Sequence, residues 1–220
     1  MCDFLSALVF SDGKIFSDPE HTDSHSDLIR VRGLDDSLPL ETRGWIRVEF
    51  KPDNNDTLDQ PEMYKLTVDE LAAPAWFDDA MRFDITERLR EQVEKMIVRD
   101  RREILLGGCW ILARGAEVVS VKNGLIQMMY DSSRVNAMLG SSRVNAMLGS
   151  SQVNEMWDSS QVNEMWDSSR VNVMRDSSQV NEMCGSSQVN EMWESSRVNV
   201  MRDSSRVASD YRVKKASKTD

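Results

Sequence analysis

The residues best suited to chemistry lie near the amino terminus. Both histidines of the chain fall in the segment His21-Thr22-Asp23-Ser24-His25-Ser26-Asp27. On a helix, a His-x-x-x-His spacing places two imidazoles on one face, and a nearby carboxylate can complete a metal site. His21, Asp23 and His25 are therefore candidate metal ligands. The segment is rich in Ser, Asp and Thr and follows Pro19, so the favoured prediction is a polar loop that caps an element beginning at Leu28.

Cys2 is the second chemical candidate. Removal of Met1 would expose an α-amine beside its thiol, a combination used by N-terminal-nucleophile amidohydrolases, with His21 or His25 as the base. The sequence holds no phosphate-binding glycine loop, nucleophile elbow, CxxC pair or dinucleotide fingerprint. We therefore predict no catalytic residue, no metal and no cofactor. A small hydrolase or metal-dependent enzyme that uses Cys2 and the His21/His25 loop is the alternative.

A repeated nine-residue phrase dominates the rest of the chain. It reads Ser-Ser-Arg/Gln-Val-Asn-x-Met-x-Asp/Gly/Glu. The first of eight full, consecutive copies starts at Ser132, and a degenerate ninth copy starts at Ser204. Nine residues span roughly two and a half helical turns, which would place successive Val/Met pairs on opposite faces of a helix. A straight strand would also change face at every copy, because its side chains alternate with period two. A corner in each unit removes the conflict and predicts a parallel β-solenoid.

The sequence leaves the details of this solenoid open. We expect corners at the Asn that follows each Val and at the Asp or Gly of the ninth position, since these residues tolerate left-handed backbone. One unit forms either a whole coil or half of a larger one. The alternatives to a solenoid are a disordered low-complexity tail and a helix, and the unbroken Val/Met register argues against disorder.

The eighth position of the unit is the most variable and is predicted to face outward. Trp and Arg are the residues favoured at interaction hot spots. An equally weighted interpretation is a solvated face that tolerates mutation. We predict partner binding along a line formed by Trp157, Trp166, Arg175, Trp193 and Arg202.

Two long blocks of the array are near-copies of each other. Residues Ser150–Asp176 and Ser177–Asp203 differ at only three of 27 positions. This similarity indicates the duplication of a block of three units.

The chain is predicted to have four parts. Residues 1–106 form an acidic α+β domain, 107–131 form transition rungs, 132–207 form the solenoid, and 208–220 form a polar cap and basic tail. Ile126 and Met129 already occupy the Val and Met places of the unit. The predicted elements of the first domain are strands at Phe4–Phe10, Lys14–Phe16, Leu28–Val31, Trp45–Phe50 and Met63–Val68. A helix is predicted to follow Pro74 and to run from about Phe77 or Asp84 to Arg101.

Charge and cysteine content limit the classes of partner. The net charge is −10, and residues 1–131 carry 16 Lys or Arg against 26 Asp or Glu. This acidity argues against general nucleic-acid binding or anionic-membrane binding and permits basic partners. Phe4–Phe10 is too short to span a membrane. Three cysteines without metal-like spacing, and no secretory signal, lead us to expect a cytoplasmic protein.

The stretch Pro19–His25 and the Ser-Ser-Gln-Val-Asn-Glu-Met units resemble uncharacterised proteins of bacteria and their phages that end in similar nonapeptide arrays. The resemblance implies the architecture of an α+β N-terminal domain followed by a parallel β-solenoid of nine-residue repeats, and it implies no activity. Our hypothesis is a non-enzymatic protein-interaction module that binds a protein partner, as a phage or mobile-element inhibitor would. The further alternative is a structural solenoid that self-assembles into a homo-oligomer.

Overall fold

In the computed structural model, which describes residues 5–212, the chain divides into an N-terminal unit that ends at Met96 and a solenoid unit that begins at Ile97. The N-terminal unit holds a four-stranded antiparallel sheet with the order β2-β1-β3-β4. The elements of this unit are β1 (Ser6–Phe10), β2 (Ile15–Phe16), α1 (His25–Arg32), β3 (Trp45–Lys51), β4 (Lys65–Val68) and α2 (Asp79–Met96).

Helix α1 corrects the prediction of a strand at Leu28–Val31. The Oγ of Ser24 accepts a hydrogen bond from the Asp27 amide at 3.4 Å, and the helix ends at Gly33, which has a φ of 63°. These start and stop signals prevail over the β-branched residues between them. The helix buries Leu28 and Ile29 against the sheet and leaves Val31 exposed.

Helix α2 confirms the prediction of a helix after Pro74 but ends earlier than the predicted Arg101. Its buried stripe consists of Ile85, Leu89, Val93 and Met96. The chain then turns into a short strand that pairs with the solenoid, so the charged run after residue 98 belongs to a strand and not to the helix.

Glu70 is a deeply buried carboxylate of the N-terminal unit. Its side chain is 7% exposed, and Arg47 binds both of its oxygens, with Nε to Oε1 at 3.1 Å and Nη2 to Oε2 at 2.9 Å. Arg43, which is 5% exposed, also donates to Glu70, and its guanidinium lies 4.1 Å from the centre of the Trp45 ring. Burial opposes ionisation of Glu70, but the hydrogen bonds from Arg47 and the charge of Arg43 more than compensate. The pKa of Glu70 therefore lies below its ordinary value.

The solenoid unit consists of two parallel seven-stranded sheets and forms about six turns. We call the sheet of β6, β8, β10, β12, β14, β16 and β18 the first wall, and the sheet of β5, β7, β9, β11, β13, β15 and β17 the second wall. Their strands are β5 (Ile97–Val98), β6 (Arg101–Leu106), β7 (Cys109–Leu112), β8 (Glu117–Lys122), β9 (Leu125–Met129), β10 (Arg134–Leu139), β11 (Arg143–Met147), β12 (Gln152–Met156), β13 (Gln161–Met165), β14 (Arg170–Met174), β15 (Gln179–Met183), β16 (Gln188–Met192), β17 (Arg197–Met201) and β18 (Arg206–Asp210).

Each strand pairs with the strand two places along the chain. Val153 lies beside Val135 and Met156 beside Met138, which fixes one coil at 18 residues with one strand in each wall. The Val and Met side chains of both walls form a single buried cluster. Ile126 and Met129 pair with Val144 and Met147, as the sequence predicted. The solenoid begins at Ile97, earlier than the predicted transition at residue 107, because β5 and β6 already pair in parallel with β7 and β8.

The corners lie at the ninth position of the unit and not at Asn. Asp158, Asp167 and Asp176 have φ values of 56°, 55° and 51°, and Gly140 has a φ of 65°. The carboxylate of Asp158 accepts the Gly140 amide at 2.8 Å, and that of Asp176 accepts the Asp158 amide at 3.0 Å. Each acidic corner thus binds the backbone of the coil before it, which supplies a reason for Asp in a left-handed conformation.

The Asn residues lie within the strands and form two continuous ladders. On the second wall, Asn163 Nδ2 donates to Asn145 Oδ1 at 2.9 Å, and Asn181 Nδ2 donates to Asn163 Oδ1 at 2.9 Å. The first wall repeats this arrangement from Asn136 to Asn190. The prediction that Asn forms corners was wrong, because an amide can both donate and accept, so identical side chains bind one another when they stack.

We expect Glu70→Gln to lower the free energy of unfolding of the N-terminal unit by about 3 kcal/mol at neutral pH, since Arg43 and Arg47 lose their buried charge partner and keep only the exposed carboxylate of Asp36. The lowered pKa of Glu70 means that its ionised form contributes stability above the ordinary value of 4.5, and that this stability is lost as the pH falls through the lowered pKa. Hydrogen exchange of β3 at a series of pH values measures both effects. The exposed Glu62→Gln is the control, and an equal loss in both variants would contradict the role of Glu70.

We expect Asn163→Ala to lower the free energy of unfolding of the solenoid by about 2 kcal/mol, because two ladder hydrogen bonds are lost at about 1 kcal/mol each. Asn199 is the last residue of the same ladder and makes one such bond, at 2.8 Å. Asn199→Ala should therefore cost about half as much. Urea unfolding followed by circular dichroism compares the two variants, and equal costs would show that the ladder does not act as a continuous unit.

Candidate functional site

The two histidines predicted as a pair have different environments. His21 is exposed, and its Nδ1 lies 2.7 Å from Asp18 Oδ1, a contact that raises the pKa of His21. His25 is the first residue of α1 and is buried. Its Nε2 lies 2.9 Å from the Val48 carbonyl, and its Nδ1 lies 3.1 Å from Asp69 Oδ2.

The structure does not assemble His21, Asp23 and His25 into a metal site. Within residues 5–212, His25, Glu49 and Asp69 are the group of three whose ligand atoms all lie within 4.8 Å of one another. Sequence reasoning missed both carboxylates because they belong to strand β3 and to the residue after β4, far from the histidine in the chain. The alternation of polar and apolar residues in β3 is enough to predict that Glu49 lies on the polar face of the strand. Nothing in the sequence predicts that α1 packs near that face.

The predicted nucleophile, Cys2, lies outside the described residues. Its role with His21 or His25 stays a prediction. The other two cysteines, Cys109 and Cys184, are buried. Burial raises the pKa of the Cys184 thiol, and a hydrogen bond to Glu182 raises it further, so this thiol is poorly suited to act as a nucleophile.

The 18-residue coil divides the predicted line of Trp and Arg residues into two columns on opposite walls. The register of β12, β14 and β16 places Trp157, Arg175 and Trp193 in the first wall's column. Trp166 and Arg202 follow β13 and β17 and belong to the second wall's column. The predicted residues therefore form two separate surfaces.

The first column is a closed stack. The Arg175 guanidinium carbon lies 4.8 Å from the centre of the Trp157 ring and 5.9 Å from that of Trp193. Tyr211 covers the other side of Trp193, with ring centres 4.3 Å apart and planes inclined by 21°. The buried Nε of Arg175 has no hydrogen-bond partner among the described residues, so the ring faces are its main neighbours. Sequence reasoning missed Tyr211, although its 18-residue spacing from Trp193 is a usable signal.

The second column is open. Trp166 is 41% exposed, and its Nε1 donates to Glu164 Oε2 at 2.9 Å. Next to it lies the buried Cys184, and then Arg202, whose Nε lies 2.7 Å from Glu182 Oε1. In the described part of the chain, no aromatic ring or guanidinium stacks on Trp166. Its ring is therefore available for contact, whereas Arg175 or Tyr211 lies against each Trp ring of the first column.

Comparison with known proteins found no matching family model, no matching curated protein and no matching solved structure. Among the helices of the described residues, none is both long enough and apolar enough to cross a membrane.

We expect Arg175→Ala to lower the free energy of unfolding of the solenoid by about 1 to 2 kcal/mol, because two cation–π contacts are lost at about 0.5 to 1 kcal/mol each. Arg202→Ala removes the same charge from the equivalent unit position but breaks only an exposed ion pair with Glu182, which should cost less than about 1 kcal/mol. Urea unfolding of the two variants tests the difference. A larger loss from Arg202→Ala would contradict the description of the first column as a stabilising stack.

Proposed function

We propose that this protein is a non-enzymatic interaction module, built from nine-residue units as half-coils, whose second wall binds a basic segment of a protein partner. The observation that supports this proposal most directly is the exposed ring of Trp166. Large aromatic side chains with an accessible surface are favoured anchors of protein interfaces.

The charges around Trp166 favour a basic partner. Glu164 and Asp167 are exposed on either side of it in the chain, and Glu182 occupies the place of Glu164 one coil further on. Arg202 supplies a positive charge two coils further along the same column, and it is engaged with Glu182. A Lys or Arg side chain from a partner could contact the Trp166 face by a cation–π interaction and the carboxylates by charge.

The scaffold behind this surface is rigid. Backbone hydrogen bonds and the Asn ladder hold β13, the strand that precedes Trp166, on both sides. A surface that is already ordered loses little conformational entropy when it binds. The binding free energy of modest contacts around one exposed Trp is therefore not spent on ordering the binding site, and it contributes to the affinity.

The chain contains its own matched control for this proposal. Trp157 and Trp166 occupy the eighth position of two identical units, Ser150–Asp158 and Ser159–Asp167, on opposite walls. Replacement of either by Ala removes the same side chain from the same local sequence. Arg175 stacks on the ring of Trp157, whereas within residues 5–212 no aromatic ring or guanidinium stacks on that of Trp166.

A display library of short random peptides, selected against the full chain, tests the proposal. We expect the selected peptides to be rich in Lys and Arg and to bind more weakly as salt is raised. Binding of one such peptide, measured by calorimetry, should weaken at least about tenfold in Trp166→Ala, the effect of losing an interface anchor. Trp157→Ala should change the affinity less than about threefold. Selection of peptides without basic residues, or unchanged binding by Trp166→Ala, would reject the proposed surface.

A further inference from the structure

The N-terminal unit brings a histidine and two carboxylates together from three elements. His25 opens α1, Glu49 lies in β3, and Asp69 follows β4. The Asp69 amide donates to the Arg47 carbonyl at 3.0 Å, which continues the antiparallel register of β3 and β4. Residues directly opposite one another, and residues two apart on one strand, share a face of a sheet. Asp69 and Glu49 therefore lie on the same face.

The hydrogen bonds of His25 define which nitrogen is available. Nε2 faces the Val48 carbonyl at 2.9 Å, and a carbonyl oxygen can only accept, so Nε2 carries a proton. Nδ1 faces Asp69 Oδ2 at 3.1 Å. A nitrogen lone pair and a carboxylate oxygen repel each other at this distance unless a cation lies between them. That cation is either a proton, held by the imidazole or by the carboxyl group, or a metal ion.

We propose that His25 Nδ1, Glu49 and Asp69 bind a divalent transition-metal ion of the zinc class. Imidazole nitrogen and carboxylate oxygen are a common zinc donor set, and three protein ligands leave a further position for water. Two such ligands, each about 2.0 to 2.1 Å from a tetrahedral zinc ion, lie about 3.3 Å apart. The Nδ1–Oδ2 separation of 3.1 Å is close to this value. A histidine that ligates through one nitrogen and donates to a backbone carbonyl through the other is typical of metal sites.

The surroundings leave the carboxylates available to the ion. Arg47, a cation on the same face, is held by Glu70 through two hydrogen bonds. Lys51 contacts Glu49 at 2.9 Å, but its side chain is 34% exposed and can move into solvent when the ion binds. The amino terminus of α1 opposes a cation through the helix dipole, and the two negative charges of Glu49 and Asp69 offset it. Asp69 is 54% exposed, which gives the ion a route from solvent.

Cobalt(II) titration of the full chain tests the site, because cobalt(II) replaces zinc and absorbs visible light when bound. We expect one ion per chain, a visible absorption band that zinc abolishes, and no strong near-ultraviolet thiolate-to-cobalt band, since the proposed ligands contain no sulfur. Zinc should also raise the unfolding temperature, and excess chelator should reverse the increase. No visible band, or a strong thiolate band, would overturn the proposal.

Matched variants separate this site from other metal-binding groups. Asp69→Asn keeps the size of an exposed side chain and should weaken cobalt binding at least tenfold, and Glu49→Gln should do the same. His21→Ala removes the other histidine, which pairs with Asp18 on the surface, and should leave binding unchanged. Loss of binding in His21→Ala, or full binding in Asp69→Asn, would assign the metal to different ligands and reject the site.

Discussion

The parallel hydrogen-bond ladder with an 18-residue spacing is the constraint on which the solenoid depends. It places each residue directly beside the residue at the same place in the next coil, roughly 4.8 Å away. Val and Met gain from this arrangement because they fill a continuous core, and Asn gains because each amide donates to one neighbour and accepts from the other. Carboxylates at the sixth position of the unit are destabilised by the stacking, since it brings like charges close together. On the first wall Val173 separates Glu155 from Glu191, and on the second wall Arg202 binds one of the two adjacent acids.

The same constraint makes identical units differ. The near-copied block of 27 residues spans one and a half coils, so each residue of the first copy has its counterpart on the opposite wall. Trp166 and Trp193 are such a pair. Trp193 lies between Arg175 and Tyr211, whereas Trp166 has Leu148 and Cys184 as its neighbours in the column. The Trp193 ring is covered and the Trp166 ring is open because the two walls give them different neighbours in the column. Their local sequences do not cause the difference.

Periodic features of this chain were predictable, and long-range pairings were not. The odd period, with Val and Met always together, argued against a plain helix or strand, and it placed Ile126 and Met129 in register before the first full unit. The coil size could not be predicted, because nine residues fit a whole coil or a half. Asn was predicted at corners from its backbone tolerance alone, although its ability to stack on itself was the stronger property. In the N-terminal unit, the sequence singled out His25, but its partners Glu49 and Asp69 depend on how β3 and β4 pair and on a helix predicted as a strand.

These two sites therefore respond differently to changes in the chain. The His25 group depends on three separate elements, so it tolerates change only where their packing is kept. The columns of the solenoid depend on register alone. An insertion of 18 residues adds a coil and leaves every following side chain on its own wall. An insertion of nine or 27 residues moves every following side chain to the opposite wall, so that an open ring can become covered and a covered ring open. The side chains that the solenoid exposes on each wall are thus set by whether the number of inserted units is even or odd, a property that no single unit contains.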